Sequence, residues 1–145
     1  MKHLLVIITI ALFTQIWGQT YIRKGGNQYG EILCNWDGTY LRSGSNVYST
    51  VAYNFDGTYI RAGSNGYSDP LYNWDGTYLR SGSNKYGTPL YNWDGAYIRR
   101  GSNAYDTPLY NYIWPYLRPG QNFYSQPIFN ADGLIPIAML IFLSF

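Results

Sequence analysis

Hydrophobic and polar positions alternate in short runs along this chain, and the runs recur every 19 residues. The clearest marker is a turn sequence, Asn-aromatic-Asp-Gly, at 35–38, 54–57, 73–76 and 92–95. Short runs rich in Tyr, Leu and Ile flank it, and runs of this kind around Asp-Gly predict a β-hairpin. The phase extends in both directions and predicts six tandem units: 20–38, 39–57, 58–76, 77–95, 96–114 and 115–133.

Six columns of the repeat hold one residue type throughout. They are Tyr at 21, 40, 59, 78, 97 and 116; Arg at 23, 42, 61, 80, 99 and 118; Gly at 25, 44, 63, 82, 101 and 120; Asn at 27, 46, 65, 84, 103 and 122; Tyr at 29, 48, 67, 86, 105 and 124; and Asn at 35, 54, 73, 92, 111 and 130. Such sameness indicates that the units occupy equivalent surroundings. The Asn that follows the Gly in each loop is expected to bond neighbouring backbone, as turn Asn residues do.

Two hairpin registers are possible. A two-residue Asp-Gly turn would pair Tyr72 with Leu79 and mix aromatic and aliphatic residues on both faces. A type I turn from Asn73 to Gly76 would pair Tyr72 with Tyr78 and Leu71 with Leu79. We predict the second register, because it separates an aliphatic face from an aromatic face.

Single hairpins are marginal in water, since cross-strand pairs contribute only about 0.2–1 kcal/mol each. The units must therefore stack and bury their Leu/Ile face together, with Leu71 and Leu90 in the core. The predicted fold class is all-β: six tandem 19-residue β-hairpins stacked as a β-solenoid or closed into a hairpin rosette. No helix is predicted after residue 20.

Both ends of the chain are apolar. Residues 1–19 predict a signal peptide, because a short basic start precedes the apolar run Leu4–Phe13 and the repeats begin directly afterwards. Residues 134–145 predict an apolar capping segment in β conformation that covers the open end of the fold. Membrane contact through this segment is the less favoured alternative, since twelve residues are too few to cross a bilayer as a helix. The fifth turn, Asn111–Pro115, lacks Asp-Gly, as expected of a repeat near the end of an array.

Charge and composition exclude several functions. Charged residues make up 12% of the chain and aromatic residues 19%, and the net charge of +2 forms no basic run, which argues against nucleic-acid binding. The only histidine, His3, lies in the predicted signal peptide, and Cys34 is the only cysteine, so the mature chain has no Ser–His or Cys–His pair. The repeated Asp residues have local roles in turns. We expect neither an enzyme nor a bound cofactor or metal.

The remaining candidates are aromatic and basic residues that repeat with the units. They are Trp36, Phe55, Trp74 and Trp93 at predicted turn tips, Tyr59, Tyr78 and Tyr97 on the aromatic face, and Arg61, Arg80 and Arg99 beside them. Aromatic rings with hydrogen-bonding neighbours suit sugar faces and cationic head groups. The alternative is that each Trp packs on the next hairpin and each Arg stacks on a Tyr as part of the scaffold.

The array over 20–133 resembles the aromatic hairpin repeats of bacterial wall-binding proteins and clostridial toxins, which share Tyr/Trp-rich hairpins of about 20 residues and recurrent Gly. It lacks their Gly-Trp openings. The resemblance implies a β-solenoid that binds choline or glycans between units. The sequence thus favours a secreted or cell-surface binding module for carbohydrate or another cell-surface polymer. The alternative is a self-associating surface scaffold.

Overall fold

A computed structural model describes residues 18–145, so residues 1–17 of the predicted signal peptide lie outside it. Twelve β-strands are followed by one short helix. The strands are β1 Thr20–Lys24, β2 Ile32–Trp36, β3 Tyr40–Ser43, β4 Val51–Phe55, β5 Tyr59–Ala62, β6 Tyr72–Trp74, β7 Tyr78–Ser81, β8 Pro89–Trp93, β9 Tyr97–Arg100, β10 Tyr110–Ile113, β11 Tyr116–Pro119 and β12 Phe129–Ala131, and the helix is α1 Ile137–Leu143.

The strands form one closed antiparallel barrel in which each strand pairs with its neighbours in sequence. Closure comes from pairing of β1 with β12, where Ile22 faces Ala131 and Arg23 faces Asn130. The predicted all-β array of hairpin repeats is confirmed in its closed form, and the solenoid alternative is wrong. Closure leaves no free sheet edge, which a linear stack of hairpins would expose at both ends.

The sixth hairpin is assembled from the two ends of the array. Asp132 follows β12 and accepts a hydrogen bond from the Tyr21 amide at 2.7 Å, across 111 residues of sequence. Thr20 Oγ1 donates to the Leu134 carbonyl at 2.9 Å beside it. In the other units the turn is one continuous segment. In the sixth hairpin, residues up to 133 supply the first part of the turn and residues from 20 onwards supply the rest, so closure of the barrel joins the two halves of one repeat.

The predicted hairpin register is wrong. Leu79 faces Trp74 and Tyr72 faces Ser81, so Leu79 pairs three residues further along the partner strand than expected. The cause is the Asp side chain: Asp75 Oδ1 accepts the amides of Thr77 and Tyr78 at 2.9 and 2.7 Å, which fixes a turn over 75–78. Gly76 has a φ of 99°, which this turn requires and which side chains rarely adopt.

In this register an aliphatic side chain of each second strand points into the barrel. Leu71 and Leu90, which are predicted to lie in the core, are instead 40% and 37% exposed. Each second strand contributes one aliphatic side chain to the core, and all six are 3% exposed or less: Ile22, Leu41, Ile60, Leu79, Ile98 and Leu117.

The C-terminal tail is a helix inside the barrel, and the predicted β conformation for 134–145 is wrong. Ala138, Met139, Leu140 and Ile141 are buried in the core. Side chains can fill an eight-stranded barrel, so a twelve-stranded one has room for a further element. The closed wall offers that element no strand edge, and a helix pairs its own backbone groups, as an apolar interior requires.

The tail runs from the turn end of the barrel towards the loop end. Near its start, Leu134 contacts Thr20. Further along, Phe142 packs edge-on against Tyr53 at 4.7 Å, and Phe145 stacks on Tyr91 at 4.9 Å between ring centroids. The Tyr110 hydroxyl donates to the Ser144 carbonyl at 2.9 Å.

Candidate binding surface

The long loops fold back against the outside of the barrel and are held there by the two invariant Asn columns. Asn54 on strand β4 donates from Nδ2 to the Gly63 carbonyl at 2.7 Å and to the Asn65 carbonyl at 3.4 Å. Asn65 in turn accepts the Tyr67 amide on its Oδ1 at 2.9 Å. The same bonds recur in the other units, so the predicted backbone-bonding role of the loop Asn is confirmed.

The candidate arginines are held in a clamp. Arg61 pairs with Asp56 at 2.6 Å, donates from Nε to the Ser68 carbonyl at 3.0 Å, and lies 4.9 Å above the Tyr59 ring. Arg80 and Arg99 make the same three contacts in their units. These guanidinium groups tie the loop, the turn and the first Tyr column together, and their charge is matched by a carboxylate within the chain.

The clamp also changes the acid strength of the turn aspartates. Partial burial alone would raise the pKa of Asp56, but the Tyr59 amide, the Arg61 guanidinium and the Thr58 amide outweigh it and hold that pKa below the ordinary 3.8. The pKa of Asp37, Asp75 and Asp94 is lowered by the same kinds of contact against the same opposing burial.

The candidate turn aromatics do not lie at turn tips. They end the first strand of each hairpin and point towards the core, because the Asp-capped turn begins one residue later. Trp36 is 1% exposed and Phe55 is also buried, while Trp74 and Trp93 are partly buried against the core. Trp36 and Phe55 are therefore packed in the interior and present no surface to a ligand.

Two grooves between neighbouring hairpins bring four of the candidates together. Tyr59 and Trp74 line one groove of about 470 Å³, with Lys85 of the next loop at its border. Tyr78 and Trp93 line an equivalent groove of about 470 Å³, bordered by Ala104.

At the next hairpin, Phe123 holds the corresponding loop position and packs on Tyr97, with 5.3 Å between ring centroids. The residue at this loop position therefore differs between units, and it changes the border of grooves that are otherwise equivalent.

The most exposed aromatic residues are not among the candidates predicted from the sequence. The second Tyr column lies at the outer edge of the folded-back loops, and its six side chains, which we call the rim tyrosines, are 85–100% exposed: Tyr29, Tyr48, Tyr67, Tyr86, Tyr105 and Tyr124. Their backbone amides bond the loop Asn, but that bond does not require a Tyr side chain. The signal was present in the sequence: the positions on either side of this column vary between units while Tyr does not.

Groups capable of other chemistry are sparse in the described chain. Cys34 is buried, and burial raises the pKa of its thiol to about 12. Residues 18–145 contain no cluster of three or more His, Cys, Asp or Glu side chains able to hold a metal ion. None of the helices described in that range has the length and apolar character needed to span a membrane.

Comparison with known proteins identifies one family. The family model described as "6-fold beta flower protein" matches residues 22–140, which is most of the chain: all of the barrel strands except the first two residues of β1, and the first four residues of the tail helix. No curated protein and no solved structure matches this chain significantly.

Proposed function

The chain belongs to the 6-fold beta flower protein family, and on this repeat scaffold we propose that it acts as an exported, non-catalytic binding module. Its ligand is a carbohydrate or another cell-surface polymer, held by the rim tyrosines and the adjoining grooves. The observation that carries the proposal is the rim itself: six equivalent tyrosines, 85–100% exposed, on loops fixed by hydrogen bonds.

The chemistry of the rim suits sugars. A tyrosine ring stacks on the apolar face of a pyranose while its hydroxyl remains free to hydrogen-bond, and the amphipathic ring is well placed at a wet interface. The loops are pinned to the barrel by Asn and Arg contacts, so little ordering is needed when a ligand binds.

The sixfold arrangement suits a repetitive ligand. One exposed ring gives little affinity, but several identical contacts on one rigid body bind a polymer or a coated surface with much higher avidity. Arg61, Arg80 and Arg99 are each paired with an Asp, so their charge is balanced within the chain and they offer no free cation to a ligand.

The decisive experiment replaces three adjacent rim tyrosines. The triple variant Tyr67→Ala, Tyr86→Ala and Tyr105→Ala should lose retention on insoluble chitin, cellulose or peptidoglycan by at least about tenfold, at about 0.5–1.5 kcal/mol per aromatic contact. The matched triple change to Phe keeps the rings and should retain most of the binding. Equal retention of wild type and the Ala variant, or no wild-type retention on any of these polymers, would contradict the proposal.

Export is tested separately. The repeat begins directly after residues 1–19, whose pattern is that of a signal peptide. We expect intact-mass measurement of the exported protein to give an N-terminus within a few residues of Gln19. A mature mass that still includes Met1–Gly18 would contradict cleavage.

A self-associating scaffold is the second candidate, and a different part of the surface favours it. At the turn end, Ile113, Trp114 and Leu134 are each more than half exposed, and Trp114 Nε1 donates to the Gly133 carbonyl at 3.3 Å. These apolar side chains are close enough to form a contact surface for a second copy. Light scattering at rising concentration should show dimers or larger species that disappear in Trp114→Ser, whereas a concentration-independent monomer would exclude this role.

A further inference from the structure

The Arg column has six members, and in the part of the chain that the structure describes one of them, Arg118, has no carboxylate partner. Five of them pair with an Asp at 2.5–2.6 Å: Arg23 with Asp132, Arg42 with Asp37, Arg61 with Asp56, Arg80 with Asp75 and Arg99 with Asp94. In the fifth hairpin the Asp position holds Ile113, which is 52% exposed. Within residues 18–145, Arg118 makes no salt bridge, and its buried Nε has no acceptor, whereas Nε of Arg61 bonds a loop carbonyl.

Arg118 lines a cavity of about 470 Å³ at the seam where the barrel closes. Tyr116, Phe123 and Tyr124 supply aromatic walls, and Ser125 and Gln126 supply polar groups. The other lining residues are Gly26, Asn27 and Pro127, so no carboxylate in the lining competes for the guanidinium. Tyr124 is also a rim tyrosine, so the cavity opens onto the surface proposed to bind polymer.

The guanidinium lies over an aromatic ring. The Arg118 Cζ lies 4.6 Å from the centroid of the Tyr116 ring, the shortest such distance among the six arginines of the column. An Arg side chain is always charged and presents a planar set of donors that matches carboxylate or sulfate oxygens. In the other five hairpins an Asp of the chain itself supplies these oxygens. In the fifth, Ile113 stands at the Asp position and supplies no such oxygens.

We propose that the Arg118 cavity binds the oxyanion of an acidic sugar, a carboxylate or a sulfate, whose ring packs between Tyr116 and Phe123. This inference rests on the proposed function and deepens it. The regular grooves bind neutral sugars of the polymer ligand, and the cavity at the seam binds a charged sugar within that polymer or at its end. Arg118 binds the anion, and Ile113 determines specificity because it leaves Arg118 unpaired.

The test uses galacturonic acid oligomers and their neutral methyl esters, a sulfated oligosaccharide, and inorganic sulfate as the minimal probe, measured by calorimetry or ligand-observed NMR. Wild type should bind at least one acidic oligomer tenfold or more tightly than the neutral ester and than inorganic sulfate, and binding should weaken as salt is raised. Preference for the carboxylated or the sulfated oligomer identifies the oxyanion. An acidic oligomer bound no better than its ester, or no better than free sulfate, would overturn the inference.

Two variants test the roles proposed for Arg118 and Ile113. Arg118→Gln removes the charge, and Ile113→Asp supplies the internal carboxylate that the other hairpins have, so each should abolish the acidic preference. Ile113→Asp changes a half-exposed position, so we expect the fold to stay intact, and an unchanged melting temperature would show this. As a matched control, Ile113→Asn changes the same position without adding a carboxylate and should keep the acidic preference. Retention of the acidic preference in both Arg118→Gln and Ile113→Asp would overturn the inference.

The outcome is distinguishable from that of the proposed function. Neutral polymer retention that depends on Tyr67, Tyr86 and Tyr105 can fail or succeed independently of acid binding at Arg118. Loss of acid binding with intact polymer retention would overturn only the role proposed for the Arg118 cavity. Loss of polymer retention with intact acid binding would overturn only the role proposed for the rim tyrosines.

Discussion

Tyrosine stands on both sides of the barrel wall, and the two sets differ in what holds them in place. Tyr53, Tyr72, Tyr91 and Tyr110 face inward and pack on the tail or the core. In this inner column the first and last units hold Cys34 and Phe129 instead. The rim tyrosines face solvent, yet all six units hold Tyr there.

The difference reverses the usual expectation for a repeat protein. Packed positions are normally the constrained ones, and exposed positions change at little energetic cost. Here the packed column contains Cys and Phe as well as Tyr: Cys34 lies in the core and Phe129 packs against it. The rim tyrosines are 85–100% exposed, so packing within the described chain does not account for their uniformity, whereas the proposed binding role would.

The largest expected effect separates the inner aliphatic residues from those left outside the wall. Leu79→Ala should lower the free energy of unfolding by roughly 2–5 kcal/mol, because Leu79 is fully buried and the closed wall cannot collapse around the cavity. Leu71→Ala, at a position 40% exposed, should cost well under half as much. Denaturant unfolding of both variants measures this, and equal losses would show that the register of the hairpins differs from the one described.

A smaller effect is expected when the two tyrosine sets are compared directly. Tyr72→Ala loses ring contacts with Phe142 at 5.6 Å and Phe145 at 5.8 Å, each worth about 0.5–1.5 kcal/mol. Tyr67→Ala should stay within about 0.5 kcal/mol of wild type, as exposed changes do. Thermal and urea melts provide the measurement. A Tyr67 variant as unstable as the Tyr72 variant would mean that the rim belongs to the scaffold.

The periodicity was sufficient to predict the repeat, the hairpins and an all-β array, because each of these follows from local turn chemistry and from spacing. The register was not predictable from face separation alone. The deciding feature is Asp75, whose side chain caps two amides and begins the turn one residue after Trp74. The turn capped by Asp75 is more stable than a turn that begins at Asn73, since the Asp75 carboxylate accepts two backbone amides and also pairs with Arg80.

The tail and the site were harder to predict for related reasons. Whether 134–145 is a strand or a helix depends on whether a free sheet edge exists, and that depends on closure between β1 and β12, which are more than 100 residues apart in sequence. The Trp and Arg candidates were chosen for their chemistry, but Trp36 is packed in the core and Arg61 in a clamp. Exposure, which singles out the rim, becomes visible only once the barrel is built.

The smallest expected effect concerns the clamps that hold the rim loops against the wall. Because contacts in the fold hold the pKa of Asp37, Asp56, Asp75 and Asp94 below 3.8, their contribution to stability is present above the unfolded value and is lost as the pH falls through the folded values. Melting temperature should therefore be steady near neutral pH and decline below about pH 4. The aspartates are partly exposed, so salt should reduce the effect. Asp56→Asn keeps the amide contacts without the charge, and its melting temperature should decline less with acid than that of wild type. An identical acid profile would mean that the Asp56–Arg61 pair adds no stability and that hydrogen bonds to backbone alone position the rim tyrosines.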